Sequence, residues 1–222
     1  MLSKETYIRR RAELLRLLQG EKGVALFIGN VASAAQYQEC AYKWRQDSTW
    51  LYLFGIDEPR LAATIDLESG ETTLFGDDCD IDDIIWNGPT PSIADHAASS
   101  GISKTAPYGA LAAALKGRPV HFVPVSRWYN AVVLGELLGF NPAEAFRAGK
   151  KGCPRASEPL VRAIVKMRLV KDAEEIALLD AACVLGQEMH TVGRKGIKPG
   201  VIEQRIVVYV AVVAKQSGLA AL

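Results

Sequence analysis

The sequence predicts an α/β fold: a mixed α/β layer over about residues 1–150, followed beyond a linker by a strongly helical segment. Three observations carry this reading. Short apolar runs closed by glycine or proline mingle with helical periodicities in the first part, without a strict alternating repeat. Composition then shifts at Ala148-Gly149-Lys150-Lys151-Gly152-Cys153-Pro154, a glycine-, lysine- and proline-rich stretch that reads as a linker. Beyond it the apolar residues recur at helical spacing.

The elements follow in order. Tyr7, Ile8, Leu14, Leu15 and Leu18 predict an amphipathic helix over 4–18, ended by Gly20. Its Arg9-Arg10-Arg11 run reads as the wet face of that helix. Residues 24–28 form an apolar run closed by Gly29-Asn30, the pattern of a buried strand. The aromatic-rich run 50–54, stopped by Gly55, predicts a second strand. Residues 61–67 and 71–75 flank Glu68-Ser69-Gly70 and predict a hairpin. Residues 110–115 and 130–138 read as short helices, and 120–123 as a strand stopped by Pro124. Asp172 stands where an N-cap belongs, with Glu175 three residues on, so a helix starts there. Acidic Glu174 and Glu175 suit the positive end of its dipole. Lys198-Pro199-Gly200 breaks the pattern. Residues 201–214 then predict a helix or strand, apolar nearly all round and suited to being covered by further protein.

Composition excludes several classes. The 222 residues are 49% apolar, ample for a core without disulfide or metal staples. A net charge of +1 argues against nucleic acid or an anionic membrane surface as a partner. The longest apolar run, 206–214, is far short of a bilayer span. The N-terminus turns charged at once and does not read as a secretory signal. Cys40, Cys79, Cys153 and Cys183 lie far apart, as buried or idle thiols of a reducing compartment do; the cytoplasm is the expectation.

Most chemical motifs fail. The cluster Asp77, Asp78, Asp80, Asp82 and Asp83 lacks the glycine at 83 and glutamate at 89 of a calcium loop, so it reads as a solvated turn or helix start. His96, His121 and His190 are too scattered for a zinc helix, and His121 reads as a satisfied core residue. There is no nucleophile elbow, P-loop or dinucleotide turn; Gly193, Gly196 and Gly200 fit a helix end followed by a turn. One stretch stands out: Trp44-Arg45-Gln46-Asp47-Ser48-Thr49-Trp50-Leu51-Tyr52-Leu53-Phe54-Gly55, followed by Ile56-Asp57-Glu58-Pro59. Such a loop can lock its own turn, with Arg45 and Asp47 pairing or binding backbone, or present Arg45 to an acidic group. Trp44 and Trp50 read as packing residues.

This stretch resembles the R-Q-D-S…Y-L-x-G…E-P signature in the N-terminal domain of Xaa-Pro aminopeptidases, of the creatinase/prolidase superfamily. The resemblance is colinear along nearly the whole chain. Ile8-Arg9-Arg10-Arg11 with Leu14 and Val24-Ala25-Leu26-Phe27 is similar to the family's first helix and strand. Trp86-Asn87-Gly88 is similar to its W-x-G segment, and Val165-Lys166-Met167-Arg168-Leu169-Val170-Lys171 with Glu174-Glu175-Ile176 to its M-R-x-x-K-x-x-x-E-I motif. His190 and the run from Gly200 to Glu203 stand where the family has a histidine and G-x-x-E.

The resemblance implies a creatinase-type N-terminal domain over 1–155, a mixed sheet flanked by helices, and the initial helices of an incomplete pita-bread metallopeptidase domain over 156–222. It implies a parent protein that removes the residue before proline, using two divalent metals, commonly manganese, held by two Asp, one His and two Glu. It implies a homo-oligomer whose N-terminal domain walls the active site, with Arg45 and Trp86 as candidate substrate-binding residues. The metal ligands cannot be assembled here: after Asp180 there is no aspartate, and the only later acids are Glu188 and Glu203. No catalytic residue, metal ligand or cofactor is therefore assigned in this chain, which is expected to be inactive alone and to serve oligomerisation and active-site gating. The alternatives are a stand-alone non-enzymatic dimerisation or peptide-binding protein built on the same domain, or a fragment of a prolidase- or creatinase-like hydrolase. The apolar residues of 201–213 are expected to be disordered, folded back or buried against a second copy.

Overall fold

The computed structural model describes residues 2–37, 40–146, 153 and 155–216. The chain divides into two compact units, Met1–Leu169 and Val170–Leu222. The predicted linker lies, apart from Cys153, outside the described residues; the Cys153 thiol donates to the carbonyls of Glu144 and Ala145.

In the first unit the described elements run α1 (Lys4–Leu17), β1 (Val24–Ile28), α2 (Ser48–Phe54), β2 (Ala62–Asp66), β3 (Thr72–Phe75), α3 (Ile81–Asn87), α4 (Ile93–Ser99), β4 (Lys104–Ala106), α5 (Leu111–Leu115), β5 (Val120–His121), α6 (Trp128–Leu138) and α7 (Glu158–Leu169). The strand order is β4-β3-β2-β1-β5. The predicted β2–β3 hairpin is antiparallel, as is β1–β2, whereas β1–β5 and β3–β4 are parallel.

β1 is apolar throughout because both of its faces are covered. Ala25 and Phe27 join a cluster with Leu14 of α1, Trp50, Leu53 and Phe54 of α2, and Leu160 and Ile164 of α7. Val24, Leu26 and Ile28 join a second cluster with Leu111 and Leu115 of α5 and Ala131 and Leu134 of α6. The alternation along one strand therefore builds two cores.

Two sequence expectations are corrected here. Residues 50–54 are helical, not a strand. Asp47 caps the helix by accepting from the Thr49 and Trp50 amides, and Gly55 ends it in the left-handed region at φ 68°. A strong cap at each end outweighs the β-preference of three aromatic side chains. The arginine run is the second correction: Arg10 and Arg11 are only 4% and 5% exposed, and only Arg9 is on the wet face. Arg11 reaches across to the carbonyls of Leu53, Ser100 and Gly101 and to Ser100 Oγ. Guanidinium geometry allows this because its donors fan out in one plane. His121 is satisfied as expected, by Ser157 Oγ and the Lys22 carbonyl, but is half-buried rather than in the core.

Asp66, at the end of β2, pins the hairpin turn. Burial works to raise its pKa; amide bonds from Ser69 and Glu68, the Ser69 hydroxyl and the Arg118 guanidinium outweigh this and bring it down to about 2. A depressed carboxylate pKa stabilises the fold above the unfolded value near 4, and that stabilisation is lost as pH falls toward 2. Solvent screening leaves on the order of 1 kcal/mol of it. The Asp66→Asn variant should therefore lose about that much at pH 7 and show a flatter stability profile between pH 4 and pH 2 in urea titrations.

The second unit contains α8 (Ala173–Gly196) and α9 (Glu203–Gln216) among its described residues. The predicted capping box is present: the Asp172 side chain accepts from the Glu175 amide and the Glu175 carboxylate from the Asp172 amide. The predicted element of 201–214 is the helix α9, which starts at Glu203 and folds back on α8 where Gly193 and Gly196 leave room. A Cβ at either would lie 3.3 Å from Val210 or Tyr209 respectively. The other side of α9 stays open, with Val207, Val208 and Val212 exposed. Among the described residues no helix is long and apolar enough to cross a membrane.

Candidate functional site

The strand register gathers the loops that matter at one edge of the sheet. Ile28 is level with Ala62, Ala62 with Phe75, and Phe75 with Ala106, while β5 runs parallel to β1. The segments after β1, β3, β4 and β5, and the one before β2, therefore all leave from the same edge. Arg45 lies on the first and Trp86 on the second.

The Arg45 loop is held by a buried amide network. Gln46, 2% exposed, accepts from the Asn30 amide at 2.7 Å and the Asp47 amide at 2.8 Å, and donates to the Glu58 carbonyl at 2.7 Å. Asn30 donates to the Arg45 carbonyl and accepts from Asn130 of α6. Gly29 lets the chain approach closely: a Cβ there would sit 3.0 Å from the Leu61 carbonyl and 3.2 Å from the Gln46 amide, so either neighbour would have to give by a few tenths of an ångström. Trp50 packs in the core as expected and donates Nε1 to the Ile56 carbonyl, whereas Trp44 is half-buried, belongs to neither core cluster and donates Nε1 to Asp57. Arg45 itself is exposed and donates to Ser48 Oγ at 3.2 Å. Of the two alternatives for Asp47, pairing with Arg45 or binding backbone, the structure has the second: its carboxylate accepts the Thr49 and Trp50 amides as the α2 cap. The loop thus both locks its own turn and leaves a guanidinium facing solvent.

On the other segment the aspartates behave as a helix start. Asp77 and Asp78 accept from the Tyr108 and Ile93 amides, and Asp80 caps α3. The helix then carries Ile81, Ile85 and Trp86 outward, Trp86 being 85% exposed. No hydrogen bond or ring contact joins Arg45 to Trp86 among the described residues; what they share is the edge of the sheet.

A second constellation links sequence-distant motifs within the first unit. Tyr52 of α2 has the Arg10 guanidinium 4.0 Å from its ring centre and that of Arg168 5.7 Å away, and its hydroxyl donates to the Met167 carbonyl. The tyrosine of the Y-L-x-G signature, the arginine run and the Met167-Arg168 pair thus meet in one place, tying α1, α2 and α7 together. Sequence reasoning missed Asn30, Asn130, Arg10 and Arg11 as structural groups. Only the tight spacing of three arginines on a helix with an otherwise apolar side hinted at the last two.

Among the described residues no three His, Cys, Asp or Glu side chains come together in a group able to hold a metal ion. His190, Glu188 and Glu203 are all exposed on α8 and α9. The residues present do not fit a two-metal centre, and no catalytic step is derived through one.

A mixed five-stranded sheet covered by helices on both faces defines the first unit as an α/β domain. Residues 7–119 match the family described as "Aminopeptidase P, N-terminal domain", and the chain belongs to that family. It is 25% identical over 202 residues to a probable Xaa-Pro aminopeptidase of Ajellomyces capsulatus and 26% identical over 212 residues to one of Uncinocarpus reesii. These alignments cover 89% and 90% of this chain but only 40% of each relative. Among solved structures it is similar to Escherichia coli aminopeptidase P (TM-score 0.77, 22% identity) and to Pseudomonas aeruginosa aminopeptidase PepP (TM-score 0.79, 21% identity). Both comparisons cover 98% of this chain and 50% of the other, and they establish the fold.

Proposed function

We propose that this chain supplies the N-terminal domain of an Xaa-Pro aminopeptidase, walling the path of a peptide whose second residue is proline and carrying contacts between subunits. The observation that carries this is the family match together with a sequence that has no aspartate after Asp180. Catalysis, with two divalent metals of which manganese is our choice, then rests on residues outside the 222. The chain alone hydrolyses nothing. Support for a metal-dependent parent comes from the likeness to a zinc-substituted aminopeptidase P of E. coli in complex with product. Free, exposed Cys40, Cys79 and Cys183 support a reducing compartment, which we take to be the cytoplasm.

Arg45 and Trp86 are the residues we assign to the peptide's surroundings. Trp86 offers a flat apolar face at the sheet edge, and Arg45 a guanidinium that its loop holds in place without neutralising. Because Trp86 is so exposed, Trp86→Ala should leave the urea midpoint of this chain unchanged, within about 0.5 kcal/mol. Joined to the catalytic half of E. coli aminopeptidase P, the chain should support metal-dependent cleavage of an Xaa-Pro peptide, and Trp86→Ala should lower kcat/KM roughly tenfold. Full activity in that variant would remove Trp86 from the site.

A further inference from the structure

A small cavity lies inside the first unit at the carboxyl ends of β1 and β5. Ile28, Asp47, Trp50, Phe122, Pro124 and Asn130 are among its lining residues. The space open to the centre of a water molecule is about 20 Å³, which suits a single water and is too small for any larger ligand.

Among the lining residues is Asn130, whose side chain carries an unmet hydrogen-bonding group. Asn130 is 3% exposed, and among the described residues its Oδ1 has no hydrogen-bond partner. The orientation of the amide follows from its neighbour. Asn30 Nδ2 donates to the Arg45 carbonyl at 2.9 Å, so Asn30 presents Oδ1 to Asn130, and Asn130 must answer with its Nδ2, at 3.0 Å. Oδ1 is then the atom left over. A buried amide oxygen without a donor forfeits the hydrogen bond that water gave it in the unfolded chain, and one immobilised water restores that bond. Asp47, whose carboxylate caps α2, lines the same cavity and can accept the second proton of a donor placed there.

We propose that this cavity is a binding site for one ordered water, which donates to Asn130 Oδ1 and completes the Asn30–Asn130–Gln46 network behind the Arg45 loop. The water joins α6 to the segment that positions Arg45, beside the links already made by Asn30 and by Arg127 at the start of α6.

A crystal structure of the chain at about 1.8 Å or better, paired with oxygen-17 relaxation dispersion in solution, tests this. The expected result is a density peak about 2.8 Å from Asn130 Oδ1 and one long-lived water that is lost in Asn130→Leu. A dry cavity, or an Oδ1 bonded to a protein donor, overturns the site. A peak that persists in Asn130→Leu overturns Asn130 as its anchor. Should that variant not fold, the wild-type density alone decides.

Discussion

Arg11→Met should destabilise the first unit by about 3–5 kcal/mol, the range seen when a buried polar network is broken. Two effects oppose each other at this site. Burial pulls the Arg11 pKa down to about 10, which is a cost of roughly 3 kcal/mol for holding the charge inside. Against it stand four hydrogen bonds, to the carbonyls of Leu53, Ser100 and Gly101 and to Ser100 Oγ. Bonds from a charged donor contribute about 1.5–3 kcal/mol each, so their sum wins. The sign of the pH dependence is fixed by the same shift. A base with a lowered pKa binds its proton less tightly in the folded state, so the cost is fully present below pH 10 and is relieved only above it. Methionine keeps the volume but leaves all four acceptors without their donor. Urea denaturation at pH 7 reads the loss, and Arg9→Ala, on the exposed side of α1, should change stability by less than about 1 kcal/mol. Equal effects from the two variants would contradict the buried role of Arg11.

Gln46→Ala should cost about 3–4 kcal/mol, since it leaves the Asn30 and Asp47 amides and the Glu58 carbonyl unpaired beneath the loop. Gln46→Glu separates the two halves of that role. A carboxylate can still accept both amides but cannot donate to Glu58, so it should recover about half of the loss. Circular dichroism melts of the three proteins check the order. Because this loop presents Arg45, the same variants in an active parent should raise KM before they lower kcat.

How much of this was legible before the structure depends on which force decided each element. β1 and the β2–β3 hairpin were readable, because burial imposes an apolar run and a turn imposes Glu68-Ser69-Gly70. The α8 start was readable from Asp172 and Glu175, since a cap is a local interaction. α2 was misread because its aromatic composition favours a strand, while the decision lay with Asp47 and Gly55 at its ends. Arg10 and Arg11 were misread because charge alone predicts solvent; their acceptors come from residues about 40 and 90 positions away, which no local pattern reveals. The same distance hides Asn30 and Asn130. Arg45 and Trp86 were nominated by motif resemblance, and the register of the sheet is what sets them on a common edge.

We propose that this chain is the non-catalytic N-terminal portion of an Xaa-Pro aminopeptidase. Incubating the purified 222-residue chain with an Xaa-Pro peptide and manganese, and following release of the N-terminal amino acid, tests it most directly. The predicted result is no release above the metal-only control at any manganese concentration. Metal-dependent release that is abolished by a chelator would contradict it.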